Sequence, residues 1–176
     1  MIVVAYQTLE DRDNIDQIEA EGPYICRRHG SWLGLGYYLW DTKYEWSYEW
    51  GVNSYERNGK GFVIAECRLD LSKDCFDLVG SVQHQMDFLE IIQQMIISKR
   101  IKNEKEAIVP NLIQFMKTKG VFNFKSIRAN DFHKDIVRLK FRNDKNEYMV
   151  LNQRVQICVI TKKDVLLQPF RVIYPK

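Results

Sequence analysis

Residues that mark the commonest catalytic and metal-binding constellations are scarce in this chain. Among 176 residues there are three scattered histidines (His29, His84, His133) and four widely spaced cysteines (Cys26, Cys67, Cys75, Cys158). No Cys-x-x-Cys pair occurs, and the histidines give no metal-ligand spacing, which argues against a structural zinc or any other metal. Nor is a Ser/His/Asp or Cys/His arrangement legible from spacing. No run of about 18 apolar residues exists, which excludes a membrane-spanning helix. Prolines number four, and no Pro/Gly/Ser-rich linker, repeat or low-complexity stretch divides the chain. A single domain over 1–176 is therefore expected, long enough to bury a sizeable core. Met1 to Tyr6 lacks a basic n-region and a small-residue cleavage site, so it reads as a first strand rather than a signal peptide. On that reading the cysteines are free thiols in a reducing cytoplasm.

What is present in quantity is aromatic surface, at 12% of residues, concentrated in residues 29–51. Trp40, Trp46 and Trp50 lie there, beside Tyr37, Tyr38, Tyr44 and Tyr48 and the glycines Gly30, Gly34 and Gly36. Glycine lets a backbone approach a ligand closely, and aromatic rings offer flat faces to a planar group. Gly34-Leu35-Gly36 opening into Tyr37-Tyr38 thus reads as a binding loop feeding a strand. Charge is divided unevenly. Residues 1–88 carry 8 Lys/Arg against 15 Asp/Glu, and residues 89–176 carry 18 against 8. Two readings stay open: a basic face for an acidic partner, or oppositely charged halves that pack together or lie on solvated faces.

Periodicity predicts a buried strand over Ile2–Leu9 and a polar helix over Asp11–Glu21 with Ile15 and Ile18 inward, ended by Gly22-Pro23. A strand over Tyr37–Trp40 follows, with Asp41 or Thr42 able to cap a helix over Lys43–Val52. That segment is ambiguous. Tyr44, Trp46, Tyr48 and Trp50 alternate with polar residues as in a strand, yet Trp46/Trp50 and Tyr44/Tyr48 are also helical neighbours. Phe62–Leu71 is a strand with Val63, Ala65, Cys67, Leu69 and Leu71 on one face. Helices are expected over Val82–Arg100, with Met86, Leu89, Gln93 and Ile96 along one side and Phe88, Ile91, Ile92 and Met95 beside them, and over Glu104–Lys119. Strands over Ile136–Phe141, Tyr148–Leu151 and Arg154–Ile160 complete an α+β chain, with short strands near Val165–Leu167 and Arg171–Tyr174.

The order of these pieces resembles the ADP-ribosyltransferase superfamily, in particular small bacterial members. The residues that carry the likeness are Tyr6-Gln7-Thr8 on the first strand, the Gly34-Leu35-Gly36-Tyr37-Tyr38-Leu39 block, the aromatic helix ending Trp50-Gly51, and Arg154–Ile160 as the last catalytic strand. The resemblance implies two packed, mostly antiparallel sheets forming a cleft, with helices inserted between the strands. It also implies NAD⁺ as substrate and a protein or nucleic-acid acceptor, by analogy with toxin-like or defence members.

Carried over by position, Tyr38 would stack on nicotinamide, Gln7 would stand where a ribose-anchoring His or Arg is expected, and Gln156, or else Gln153, would stand where the family has a Glu. Tyr6, Thr8, Gly34, Gly36, Tyr37 and His29 would line the cofactor. The two glutamines depart from the pattern. A carboxylate opposes the positive charge that develops on ribose as the nicotinamide bond breaks, whereas an amide offers only a dipole. Losing that charge costs on the order of 100-fold in rate or more. A module of the same fold that binds a nucleotide or a protein without catalysis is the alternative. Trp46 and Trp50 read as core anchors, Tyr37 and Tyr38 as pointing to opposite faces, and His84 and His133 as lying on solvated surfaces. Asp131 reads as part of an ordinary polar stretch.

Overall fold

The computed structural model describes residues 1–27, 31–131, 133 and 136–175. Its elements in chain order are β1 (Ile2–Glu10), α1 (Ile15–Glu21), β2 (Tyr37–Asp41), α2 (Tyr44–Ser54), β3 (Phe62–Asp70) and β4 (Cys75–Asp77), then α3 (Val82–Ile97), α4 (Val109–Thr118), β5 (Ser126–Asp131), β6 (Val137–Lys140), β7 (Tyr148–Leu151), β8 (Arg154–Val159) and β9 (Leu166–Tyr174). The α+β class is as the periodicity predicts. Seven strands join in the order β4-β5-β8-β2-β1-β3-β9, antiparallel except for β4 with β5, and β6 and β7 form a separate ribbon.

The two packed sheets implied by the resemblance are thus joined into one, and the reason is a narrow seam. β1 pairs with β3 from Ile2↔Asp70 to Glu10↔Phe62, but with β2 only at Ala5↔Asp41 and Tyr6↔Trp40. Beyond Tyr6 the segment after α1 wedges the strands apart. Gln7 Nε2 donates to the Tyr24 carbonyl at 2.8 Å and Tyr24 N–H donates back to Gln7 Oε1 at 2.8 Å. Cys26 then bridges to Gly36, ahead of β2. The side-chain amide of a buried glutamine takes the place of ladder bonds at this point, pairing the Tyr24 N–H and carbonyl and reaching the Tyr38 carbonyl.

Two apolar cores lie on opposite faces of the sheet. The alternating β3 residues Val63, Ala65, Cys67 and Leu69 meet Ala5, Leu39, Ile157, Ile18 of α1 and Phe170 of β9. On the other face Phe76, Ile127, Ala129 and Cys158 meet Ile91 and Met95 of α3 and Leu112, Ile113, Phe115 and Met116 of α4. Met86 and Leu89, expected along the inner side of α3, are more than half exposed; the buried stripe runs through Ile91 and Met95. A Ser81 cap, accepting from His84 N–H, starts α3. The helix expected from Glu104 begins only at Val109, after a short 3-10 turn over Glu104–Glu106.

Residues 44–54 are helical, which settles the conflict of periods. The helix lies over β1 and β3 on the face of Tyr38 and Trp40, with Tyr44 edge-on to Tyr6 and Tyr48 edge-on to Phe62. Thr8 Oγ1 donates to the Ser47 carbonyl at 2.7 Å, tying strand to helix. Because the rings occupy opposite sides of α2, Tyr44 and Tyr48 on one and Trp46 and Trp50 on the other, the alternation marked no single buried face. Asp41 caps nothing. Its Oδ2 accepts from Arg128 Nε at 2.6 Å and its Oδ1 from Thr42, while Arg128 also reaches Asp77 at 3.3 Å, forming an ion triad across β2, β5 and β4. The two described histidines, expected on solvated surfaces, are half-buried and packed on aromatic rings. His84 Nδ1 accepts from Asp77 N–H and its ring packs on Phe76 and Phe124, and His133 packs edge-on to Trp46.

Candidate functional site

Where the wedge separates β1 from β2 the protein has a cavity of about 540 Å³, a size in the range of small-ligand sites. Its walls include Gln7 and Thr8 of β1, Tyr38 and Trp40 of β2, Trp50 of α2, Trp32 of the preceding loop, and Asp131, Arg154 and Gln156 of the β5–β8 pair. Gln7, Thr8, Tyr38 and Gln156, separated by up to 149 positions in the sequence, are therefore brought to one cleft. Tyr6, Gly34, Gly36 and Tyr37 do not line it. Tyr6 sits beneath α2 against Tyr44, and burial with Glu66 beside it raises its phenol above the ordinary value. Tyr37 packs on the first core with the Lys162 ammonium 4.9 Å from its ring centre. His29 falls outside the described residues.

The polar groups of the cavity are committed to different degrees. Gln7 is 5% exposed, and both of its amide functions are engaged by main chain, the donor also reaching the Tyr38 carbonyl at 3.3 Å. Tyr38 donates its hydroxyl to the Gly34 carbonyl at 2.7 Å and accepts from Leu33 N–H at 2.9 Å. Its ring borders the cavity while its hydroxyl holds the Leu33–Gly34 loop. Burial, with Cys158 nearby, pushes that phenol far above its ordinary value, so it stays a neutral donor. Burial likewise lifts the Cys158 thiol to about 12. Gln156 is 7% exposed, and its Oε1 accepts from Trp32 Nε1–H at 2.7 Å.

Asp131 and Arg154 form a two-pronged ion pair at the cavity wall, with Arg154 Nε donating to Oδ1 at 2.9 Å and NH2 donating to Oδ2. The hydrogen bonds to Asp131 are the main reason the guanidinium holds its proton more tightly than usual. Arg154 lies 5.8 Å from the Trp40 ring centre. Asp131 is the one carboxylate among the described residues that line the cavity. No group of three or more potential metal ligands gathers among the described residues, and no helix among them is long and apolar enough to cross a membrane.

Sequence reasoning passed over Trp32, Asp131 and Arg154, and it placed Trp50 in the core. Trp50 is 37% exposed and faces the cavity, whereas Trp46 is buried as expected. A signal was available for Trp32, which sits in the same aromatic segment. For Asp131 and Arg154 the signal is the opposed register of two strands, Asp131↔Arg154, which only the fold reveals.

Fold and site together define an α+β domain with a mostly antiparallel sheet and an aromatic-lined cleft at a seam of that sheet. No family model, no curated protein and no solved structure matches the chain.

Proposed function

We propose that this cleft binds NAD⁺, as a domain of ADP-ribosyltransferase type in which binding is retained and the catalytic carboxylate is replaced by the Gln156 amide. The observation that carries the reading is the convergence of Gln7, Tyr38 and Gln156 on one cavity walled by Trp32, Trp40 and Trp50. The rings supply flat faces for nicotinamide or adenine. Arg154 supplies positive potential for a diphosphate, moderated by Asp131. Gln7 shapes the wall, because both of its N–H groups and one acceptor site are spent on main chain. The four free thiols suit a reducing, cytoplasmic setting.

Transfer of ADP-ribose to a protein or nucleic-acid acceptor is the second reading, favoured by one observation, the Asp131 carboxylate in the same cavity. There it would oppose positive charge on the ribose as the nicotinamide leaves. Thermal unfolding with and without NAD⁺ tests the first reading: a ligand at about 100 times its Kd stabilises the native state by about 2.7 kcal/mol. Gln156→Leu is expected to reduce that shift. Absence of any shift at millimolar NAD⁺ overturns the binding proposal. Release of nicotinamide with labelling of an acceptor, lost in Asp131→Asn, replaces it with the second reading.

A further inference from the structure

The Trp32–Gln156 contact decides which hydrogen bonds the cavity can offer. An indole nitrogen can only donate, so the atom that meets Trp32 Nε1 at 2.7 Å must be the amide oxygen, and the amide cannot be turned over without losing that bond. Gln156 Nε2 is thereby presented to the cavity as a donor, and has no partner among the described residues. Directly across the ladder, at Trp40↔Gln156, the largely buried Trp40 ring walls the same cavity. The Arg154 guanidinium stands over the Trp40 ring. The only carboxylate among the described lining residues, Asp131, is already held by Arg154. The Gln156 N–H groups are thus open to the cavity, where an acceptor on a ligand can take them in place of water.

We infer that Trp32 is a positioning residue that locks Gln156 as a donor, so that the cavity selects a planar ligand carrying an acceptor-only group, a ring carboxylate in preference to a ring carboxamide. The inference deepens the proposed function and rests on reading the cavity as a ligand site. It reverses the polarity of this position relative to the carboxylate implied by the resemblance. A carboxylate there would welcome a ligand donor or a developing cation, and a fixed amide N–H welcomes neither.

The contact itself is tested without ligand. In a ¹H–¹⁵N spectrum the indole resonance absent from Trp32→Phe identifies Trp32, and that resonance is expected to shift in Gln156→Leu. No shift overturns the inference. Selectivity is tested by titrating two pairs: nicotinic acid adenine dinucleotide against NAD⁺, and free nicotinate against nicotinamide. Charged acceptors form the stronger hydrogen bonds, so the native chain is expected to favour the acid of each pair by about fivefold or more. Trp32→Phe frees the amide to rotate and is expected to bring each pair to within about twofold. Gln156→Glu is expected to reverse the preference. An amide preference in the native chain, or an acid preference untouched by Trp32→Phe, overturns the inference. If nicotinate binds with these preferences while neither dinucleotide binds, the NAD⁺ reading falls and the inference stands. If none of the four binds, both fall.

Discussion

Gly34 and Gly36 were singled out by sequence for the same reason, close approach to a ligand, and the structure separates them. A Cβ on Gly36 would lie 2.4 Å from Cys158 Sγ and 2.7 Å from the Val159 carbonyl oxygen, far inside van der Waals contact. A Cβ on Gly34 meets nothing within 4 Å, but the residue has φ +86°, where a side chain is strained. Gly34→Ala should therefore cost about 1 kcal/mol, from backbone strain alone. Gly36→Ala must move β8 backbone, and its cost should reach the upper end of overpacking, about 3 kcal/mol. With a urea slope of about 2 kcal/mol per molar, the unfolding midpoint should drop by about 0.5 M in the first variant and about 1.5 M in the second. Adding Cys158→Ala to Gly36→Ala should recover part of the loss and leave the clash with the Val159 oxygen. The assay is urea unfolding followed by circular dichroism, together with NAD⁺ titration. A Gly36→Ala chain as stable as Gly34→Ala, or one that keeps its stability while losing ligand, would refute a packing role for Gly36.

Two further perturbations probe charge at different depths. Arg128→Met leaves the Asp41 carboxylate, 4% exposed, without its counter-ion and should cost about 3–5 kcal/mol in urea unfolding. Arg154→Met breaks a pair that is 27% and 38% exposed and should cost under about 1 kcal/mol; equal losses would contradict the assigned depths. Burial holds the Cys67 and Cys158 thiols protonated up to about 12 in the native chain, against an ordinary value of 9.0. Between pH 9 and 12 the unfolded chain releases these protons while the native chain keeps them, so stability should fall as pH rises. The expected slope is about 1.4 kcal/mol per pH unit for each thiol, read as a falling urea midpoint that flattens in Cys67→Ala and Cys158→Ala.

Legibility in the sequence follows how local the controlling physics is. The strand over residues 62–70 was plain because one face is core from Val63 to Leu69 and the alternation records it. Tyr37 and Tyr38 were assigned to opposite faces for the same reason, and each packs on a different core. β4 and β5 left little trace, since Cys75–Asp77 is three residues long and Ser126–Asp131 has only two apolar residues, Ile127 and Ala129, among polar ones such as Arg128 of the ion triad. The strand expected in two pieces near the C-terminus is one, Leu166–Tyr174, whose register shifts between Ile64/Ala65 and Glu66/Arg68 interrupt its pattern. At the site, Gln7, Thr8, Tyr38 and Gln156 were found through their order along the chain. Those depending on a partner across the fold, Asp131, Arg154 and Trp32, were not.

The two glutamines that break the resemblance do different things, and the difference lies in what each amide has left to offer. Gln7 spends its donor and its acceptor on the Tyr24 main chain, at 2.8 Å each, at the point where β1 loses β2 as a neighbour. Replacing it with an apolar residue of like size would leave the part-buried Tyr24 N–H and carbonyl without these partners, a loss of about 1 kcal/mol each. It is thus part of the wedge that opens the cleft. Gln156 spends only its acceptor, on Trp32, and keeps its N–H groups. A histidine or arginine at position 7 could not return both bonds to Tyr24, since neither side chain offers a donor beside an acceptor in amide geometry. Position 7 is therefore tied to the shape of the seam, and position 156 to the polarity of what enters it.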